Sequence, residues 1–534
     1  MQKGARRSIW AWGLESDEPT DAERKNFAKG LAERWGRDLP VPQAAKLSDL
    51  VLRSPRLEPS SQLQAFCTTE PHDRAFHTYG SHFTERLRAF RGEFPNPPDF
   101  VAHPRDEAEL ERVLSFCADN DCKAVPWGGG SSVVYGLEVP EGDAPCVAID
   151  LDHLDQVLEI DETSRAARIQ GGVLGPALEA QLKPHGFTLR HFPQSFEWST
   201  LGGWIATRSG GHYATNHTHI DDFVESVRML TPSGWWESRR LPGSGAGPSP
   251  DRIAIGSEGI LGVITEAWMR IQRRPRFRAT AGVRFDSWSH GAEAARHIAQ
   301  AKLWPANLRL LDPGEAKNAG LDGTQALLIL GFESAELPQD GNLNQAVAIA
   351  RECGGQIADD ELRISDASEQ ATGREGAVGA WRSAFIGVGT GMNLITGLGL
   401  VADTFETSIT WDRWPDFDRE VRAAVEKALA EVAGGGTLSC RFTHVYPDGP
   451  APYYTFSTRG QPGGEIAQWQ AIKDVATDAV ISAGGTATHH HAVGRMHRPG
   501  YDRQRPELFA SSLRAIKREL DPGGLLNPGV LIDP

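Results

Sequence analysis

The sequence predicts an α+β protein of at least two domains. Its 534 residues are more than one ordinary hydrophobic core organises. From residue 100 onward, short apolar runs typical of β-strands alternate with segments of helical periodicity. Three glycine-rich segments fall between residues 126 and 264, next to these strand-like runs. Together these features favour a mixed architecture of sheets and helices that holds a ligand in loops.

Composition and charge set limits on partner and compartment. The chain is 40% hydrophobic and 23% charged, as in soluble globular proteins, and its net charge is −15. Nucleic acid needs a basic surface, so no nucleic-acid partner is expected. No apolar run reaches the roughly 20 residues of a membrane-spanning helix, and residues 1–12 lack the apolar core of a secretory signal. We therefore expect a cytoplasmic protein, with peripheral membrane contact left open.

The cysteines indicate neither a disulfide framework nor a metal site. No two of them form a CxxC pair, and they are scattered along the chain. We expect reduced, mostly buried thiols at Cys67, Cys117, Cys122, Cys146, Cys353 and Cys440.

The chain divides into four predicted regions. Residues 1–92 are polar with helical stretches, and residues 93–275 alternate strand and helix patterns. Residues 276–440 mix strand and helix without a phosphate loop and form a predicted second domain. Residues 441–534 close the chain with two predicted helices.

Local patterns predict individual elements within these regions. Thr20 is a predicted helix N-cap, because Glu23 three residues later completes a capping box. The remaining patterns predict strands at 100–103, 123–127, 146–151 and 157–160, and helices at 105–119, 175–185 and 464–483 with a last one ending at residue 520.

The three glycine-rich segments predict a site for an extended anion. Glycine lets main-chain N–H groups approach a phosphate closely, and Ser and Thr hydroxyls add donors. Any one of these loops alone is better explained by a tight turn, but three converging loops suit the pyrophosphate of FAD. The predicted FAD-binding residues are Pro126, Gly128, Gly129, Gly130, Ser131, Ser132, Pro193, Gln194, Ser195, Ser199, Thr200, Gly202, Gly203, Ala206, Thr207, Glu258, Gly259, Gly262, Val263 and Ile264.

The order of the loops resembles one superfamily of flavoproteins. Neither a Walker A motif nor GxGxxG stands at a strand–helix junction, which disfavours kinases and Rossmann dehydrogenases. The segments GGGSS at 128–132, 193–211 and 256–267 resemble the FAD domain of the vanillyl-alcohol-oxidase superfamily over roughly residues 93–275. The resemblance implies a two-subdomain PCMH-type FAD-binding domain, a mixed α/β cap domain for the substrate, an N-terminal helical extension, and a C-terminal segment that completes the active site.

The resemblance also bears on how FAD is held. Many members of the superfamily attach FAD covalently through a histidine in the first glycine loop, where this chain has Gly130. Non-covalent FAD is therefore expected. The stretch 209–212 resembles an attachment motif of another branch, but it follows the glycine turn at 202–203, so His212 is not expected to bind the flavin.

Within the superfamily, the chain resembles the alkyldihydroxyacetonephosphate synthase family more than the lactate or glycolate dehydrogenases. The resemblance lies in WAWG at 10–13, HFPQSFEWST at 191–200, the segment 439–456 and HHHAVG at 489–494. It implies that the acyl chain of acyl-dihydroxyacetone phosphate is exchanged for a fatty alcohol. The product is an ether-lipid precursor, and there is no net redox change.

Five residues match catalytic positions of that family. Tyr453 matches a tyrosine that acts as the base, although a phenol with a pKa near ~10 is a poor base unless cations lower it. The resemblance assigns that positive charge, and phosphate binding, to His489, His490 and His491. Arg309 matches an arginine near the flavin, where it would stabilise negative charge on the reduced ring.

Each of these residues also has a structural interpretation. A strand tyrosine is more often a core residue, and alternation puts the neighbouring Tyr454 on the opposite face of the strand. A lone arginine such as Arg309 usually forms a surface contact or a salt bridge, and Arg413 is expected to be structural. A histidine triplet is also typical of a metal tract, but consecutive residues in a turn rarely ligate one metal, so no metal site is predicted.

One position departs from the family pattern. The family has an Arg-Asp pair that helps to bind the substrate phosphate, and Met392 and Asn393 stand there in this chain. The loss of a guanidinium removes a charge-assisted, often bidentate, phosphate contact. This loss counts against a phosphorylated substrate, whereas the FAD prediction is unaffected.

Two functions are therefore open from the sequence. The first is an FAD-dependent alkyl transferase that acts on small-molecule, lipid-like substrates. The second is an FAD-linked oxidoreductase of a 2-hydroxy acid or an alcohol. A flavin-binding protein without catalysis is disfavoured, and a homodimer is expected.

Overall fold

The computed structural model describes residues 6–36, 38–213, 219–365 and 376–533. Among these residues, no helix combines the length and the apolar character needed to cross a membrane. All six cysteines are free thiols, and four of them are buried. The helices are α1 (Asp21–Trp35), α2 (Pro71–Phe76), α3 (Phe83–Phe90), α4 (Glu107–Asp119), α5 (Gly175–Leu182), α6 (Leu201–Thr207), α7 (Asp251–Ala254), α8 (Trp288–Gln300), α9 (Pro313–Asn318), α10 (Asp340–Glu352), α11 (Gly376–Ile395), α12 (Trp414–Ala433), α13 (Glu465–Ser482), α14 (Arg498–Gln504) and α15 (Glu507–Leu520).

A four-stranded sheet forms the first part of the FAD-binding half. Its strands are β1 (Cys67–Thr68), β2 (Phe100–Ala102), β3 (Lys123–Trp127) and β4 (Cys146–Asp150), in the spatial order β1-β2-β4-β3. The pairs β2–β4 and β4–β3 are parallel, and α4 covers a core of fully buried aliphatic residues. The C-terminal tail extends this sheet, because the Ala124 N–H donates to the Leu525 carbonyl and the Asn527 N–H donates to the Ala124 carbonyl.

An antiparallel sheet of five strands forms the second part. Its spatial order is β5-β6-β10-β8-β9, and its buried face packs against α5 and α6. A short two-stranded ladder lies beside it. The strands are β5 (Val157–Asp161), β6 (Ala166–Gln170), β8 (Val224–Thr231), β9 (Gly234–Glu237) and β10 (Val263–Arg270), with β7 (Phe187–Thr188) and β11 (Gln272–Arg273) in the ladder.

A seven-stranded antiparallel sheet builds the other half of the molecule, in the order β15-β12-β14-β13-β17-β18-β16. One face carries the largest hydrophobic core, beneath α8, α10, α12 and α13. Because strand side chains alternate, the opposite face is free to carry polar groups. The strands are β12 (Phe277–Phe285), β13 (Asn307–Leu311), β14 (Ala326–Ser334), β15 (Leu362–Ser365), β16 (Leu400–Glu406), β17 (Thr437–Val445) and β18 (Pro450–Arg459).

The predicted elements agree closely with the structure. Thr20 and Glu23 form the predicted capping box of α1. The predicted strand at 123–127 is β3, and the predicted helix at 464–483 is α13. The boundary predicted at residue 440 falls inside β17, since the large sheet continues through β18. The N-terminal region is not a separate body, because β1 pairs with β2 and α3 packs in the core of the large sheet.

Candidate active site

A cavity of about 490 Å³ lies between the FAD-binding half and the large sheet. All twenty predicted FAD-binding residues line it, from Pro126 in β3 to Ile264 in β10. Of the predicted catalytic residues, four line the same cavity, and only His489 does not. The four are Arg309, Tyr453, His490 and His491.

The first glycine loop offers free donors to this cavity. Its carbonyl groups are used, because Arg7 donates to the Gly129 oxygen at 3.3 Å and the Ser81 hydroxyl donates to the Gly130 oxygen at 2.7 Å. The main-chain N–H groups of residues 129–132 make no hydrogen bond to any described residue. Buried amides are rarely left unpaired in proteins, so this row of donors fits an anionic ligand.

Close approach of the loops explains two of the glycines. A Cβ atom at Gly128 would lie 2.3 Å from the Thr200 hydroxyl oxygen, and one at Gly129 would lie 1.9 Å from the Trp198 carbonyl oxygen. Any side chain at either position would therefore push the first and second loops apart. The same contact brings Thr200, the N-cap of α6, into the cavity.

The polar face of the large sheet forms the opposite wall. Arg309 on β13, Arg441 and Thr443 on β17, and Tyr453 on β18 all line the cavity. Their strand neighbours point the other way, so Tyr454 is fully buried in the core and donates to Asp418 at 2.8 Å. The alternation predicted for the two tyrosines is thus observed.

Tyr453 meets a different cation from the one predicted. The Arg441 guanidinium carbon lies 3.7 Å from the centre of the Tyr453 ring, and the two residues are paired across β17 and β18. Burial raises the pKa of Tyr453, and Arg441 and a hydroxyl hydrogen bond from Thr404 oppose that rise. Tyr453 is therefore a neutral phenol at neutral pH, with one fixed positive charge against its ring.

The histidine turn wraps around one buried carboxylate. Glu406 ends β16 and accepts the main-chain N–H groups of His489, His490 and His491 at 2.7, 3.1 and 3.1 Å. The Thr488 hydroxyl adds a fourth hydrogen bond at 2.6 Å. Burial alone would raise the pKa of Glu406, but its interactions with the neighbouring histidines, above all with the His490 side chain, hold it well below its usual value.

Two of the three histidines do not supply the charge predicted for them. Burial lowers the pKa of His489 well below its ordinary value and lowers the pKa of His491 to about 3, so both are neutral at pH 7. His489 also points away from the cavity, and its Nε2 atom lies 3.1 Å from the Tyr446 hydroxyl. Ring nitrogens of His444, His489 and His490 lie within 4.8 Å of one another, which places three imidazoles together.

Arg309 is a buried cation without a carboxylate partner among the described residues. It is 1% exposed, its Nε atom donates to the Asn307 side chain, and its Nη1 atom has no partner among the described residues. Burial, together with the charge of Arg441, lowers the pKa of Arg309 to about 9, so it remains protonated at neutral pH. An unpaired buried guanidinium of this kind is suited to an anionic ligand.

Sequence reasoning missed several residues that complete the cavity. Arg441 stands in the quoted segment 439–456, but no motif marked it, and its partner Glu315 lies 126 residues away at 2.7 Å. Lys473 pairs with Asp403 at 3.0 Å, and Arg86 enters from α3. The sequence holds one signal for Lys473 and Arg86, because the periodicity of α13 and α3 indicates which face of each helix they occupy.

His212 and Arg413 lie outside the residues that line the cavity. The Nε2 atom of His212 lies 3.1 Å from the Asn307 amide nitrogen. Arg413 donates to the Ala483 carbonyl at 2.8 Å and packs against Gly484, which is a structural role.

The residues present fit FAD. The cavity joins unpaired amides, small residues and hydroxyl groups on one side to an unpaired guanidinium on the other. Glu258, the acidic side chain of the glycine loops that lines the cavity, is committed elsewhere, since it accepts the N–H groups of Val493 and Gly494 at 2.8 and 2.7 Å. An extended dinucleotide anion therefore meets donors without a competing negative charge.

Family comparison agrees with this geometry. Residues 98–238 match the model described as FAD binding domain, and residues 274–531 match the model described as FAD linked oxidases, C-terminal domain. The class of protein is therefore an FAD-dependent flavoprotein. The chain belongs to the PCMH-type FAD-binding family, and FAD is its cofactor.

Particular relatives narrow the comparison. The chain is 28% identical to alkyldihydroxyacetonephosphate synthase of Dictyostelium discoideum, over 86% of this chain and 77% of the relative. It is 29% identical to the synthase of Caenorhabditis elegans, over 92% and 86%. A solved structure of an alkyldihydroxyacetonephosphate synthase has the same fold, with a TM-score of 0.78 and 24% identity over 94% of this chain and 90% of that chain. A glycolate oxidase subunit of Bacillus subtilis is 26% identical, over 82% and 89%.

The glycine contacts lead to a direct prediction. Gly129→Ala should reduce bound FAD to less than a tenth of the wild-type content, because the new methyl group would overlap the Trp198 carbonyl oxygen. The flavin absorbance per chain after purification measures the effect. Gly245→Ala is the matched control, since a Cβ there meets nothing within 4 Å, and it should keep full flavin. Normal FAD content in Gly129→Ala would contradict the assignment of this loop.

Proposed function

We propose that the chain is an alkyldihydroxyacetonephosphate synthase-like enzyme. In this proposal it exchanges the acyl chain of acyl-dihydroxyacetone phosphate for a fatty alcohol, with no net redox change, in the synthesis of ether lipids. Similarity to the synthases of two organisms over most of the chain supports it. The observation that carries the proposal is that Tyr453, Arg441 and Arg309 share one buried cavity with the FAD loops.

Each cavity residue has a task in this reaction. FAD, when bound, supplies an electron-accepting ring beside the reacting carbon. Tyr453 is the group that moves the substrate proton, and Arg441 stabilises its phenolate because the guanidinium lies against the ring. Arg309 offers its unpaired N–H group to negative charge that develops during the reaction. The mostly buried walls exclude water, which would otherwise compete with the alcohol.

A second function has one observation in its favour. The similarity to the glycolate oxidase subunit covers almost as much of the chain as the similarity to the synthases. An FAD-linked oxidoreductase of a 2-hydroxy acid or alcohol would use the same loops and the same cavity. The two functions differ in whether the flavin passes electrons to an external acceptor.

We also propose how FAD is held, where the protein acts and how it assembles. FAD is bound non-covalently. Gly130 supports this, because a Cβ atom there would lie 2.9 Å from the Trp127 ring. A cytoplasmic location is supported by the six free thiols. Peripheral membrane contact is supported by the exposed side chains of Leu508 and Phe509 at the start of α15, and a homodimer is proposed as the assembly.

An exchange assay separates the two functions. Purified holoenzyme with acyl-dihydroxyacetone phosphate and hexadecanol should form alkyl product without any electron acceptor. The flavin should not bleach under anaerobic conditions with lactate, glycolate or simple alcohols. Mass spectrometry of the lipid product and the flavin spectrum measure the two results. Bleaching by a hydroxy acid together with no alkyl product would overturn the proposal in favour of the oxidoreductase.

The two adjacent tyrosines provide a matched pair of variants. Tyr453→Phe should lower the exchange rate at least a hundred-fold with normal flavin content, because it removes the hydroxyl that faces the cavity. Tyr454→Phe should remain active, although it should unfold more easily because it leaves the buried Asp418 without one donor. Steady-state exchange rates and thermal unfolding measure both effects. Full activity in Tyr453→Phe would remove this residue as the proton-transfer group.

A further inference from the structure

The charges that line the cavity do not balance. Four cations and three carboxylates line it among the described residues, namely Arg86, Arg309, Arg441, Lys473, Glu258, Glu315 and Asp403. Two cations are paired, because Arg441 lies 2.7 Å from Glu315 and Lys473 lies 3.0 Å from Asp403. Within the described ranges, neither of the other two guanidiniums has a carboxylate within salt-bridge distance. The cavity therefore presents two unpaired positive charges, at Arg309 and at Arg86.

Arg86 is held in place by neutral groups. Its Nε atom donates to the Trp10 carbonyl oxygen at 3.3 Å, and its Nη2 atom donates to the Asn393 side-chain oxygen. Asn393 is itself fixed, since it accepts the Trp12 N–H at 2.8 Å and donates to the Trp12 carbonyl at 3.0 Å. Burial lowers the pKa of Arg86 to about 10, so the guanidinium is charged at neutral pH. The structure thus orients a desolvated cation without neutralising it.

The position of Arg86 relates it to the reacting groups. One turn earlier, His82 Nε2 lies 3.4 Å from Asp403, and the next residue, Thr404, donates to the Tyr453 hydroxyl at 3.0 Å. Arg309 contacts Phe385 on α11, and Arg86 contacts Asn393 eight residues later, so their contact points on this helix lie about 12 Å apart. Arg86 and Arg309 therefore reach the cavity at different turns of α11.

We propose that Arg86 binds the phosphate group of the substrate. A guanidinium donates two parallel hydrogen bonds to phosphate oxygens, and a dry site makes this contact strong. Met392 lines the same cavity and offers no charge, while its neighbour Asn393 turns the Arg86 side chain toward this place. Arg86, on α3, thus supplies the positive charge that is missing at Met392 on α11. The identification of the ligand as a phosphate monoester rests on the proposed function, whereas the anion site itself rests on the unpaired charge of Arg86.

Phosphate binding to the holoenzyme tests this inference. Inorganic phosphate is titrated by calorimetry and by the flavin difference spectrum, at constant ionic strength with chloride. Arg86→Gln keeps a donor for Asn393 but removes the charge, and it should weaken phosphate at least ten-fold. Arg88→Gln is the matched control on the same helix, because Arg88 is half-exposed and outside the cavity, and its affinity should equal that of the wild type.

A second pair of variants tests the inference if Arg86→Gln does not fold. Met392→Glu adds a carboxylate to the same end of the cavity and leaves Arg86 in place, so it should bind phosphate at least ten-fold more weakly than Met392→Gln. Equal affinity in folded Arg86→Gln, equal affinity in the Met392 pair, or no phosphate binding by the wild type would overturn the inference. Arg86-dependent phosphate binding without alkyl exchange would instead leave the inference intact and remove the proposed function.

Discussion

Two buried carboxylates hold together the part of the molecule on which the site depends. Glu406, from the large sheet, accepts three consecutive N–H groups of the histidine turn, and Glu258, from the third glycine loop, accepts the N–H groups of Val493 and Gly494. Main-chain donors to a charged, buried carboxylate are strong, which applies above all to Glu406, because burial raises the pKa of Glu258 to about 7. The turn at 488–494 therefore joins the two halves at the cavity and fixes its floor.

Electrostatics then decide what the cavity accepts. His491 is neutral and two of the lining cations are paired with carboxylates, so Arg309 and Arg86 are the unpaired cations of the cavity among the described residues. Free amides of the first glycine loop add neutral donors for the cofactor. The glycine loops, Tyr453 and both unpaired guanidiniums line this one cavity.

The parts of the site that local sequence determines were predictable. Glycine loops and the capping box depend on neighbouring residues, and the alternation of Tyr453 and Tyr454 follows from strand geometry alone. Charge was not predictable in the same way. The positive charge predicted for His489 and His491 was wrong, because burial, which lowers their pKa values, depends on the whole fold. Arg86 reaches a partner 307 residues away, and no local pattern records that contact.

Amide hydrogen exchange over residues 488–494 tests most directly whether a buried carboxylate holds this turn in place. Glu406→Gln keeps the size of the side chain but replaces one acceptor oxygen with an NH₂ group that cannot accept the turn's N–H groups. The account predicts that amides 489–491 exchange at least ten-fold faster in this variant at neutral pH, while amides of α13 keep their protection. Wild-type exchange at 489–491 in a folded Glu406→Gln protein would contradict it.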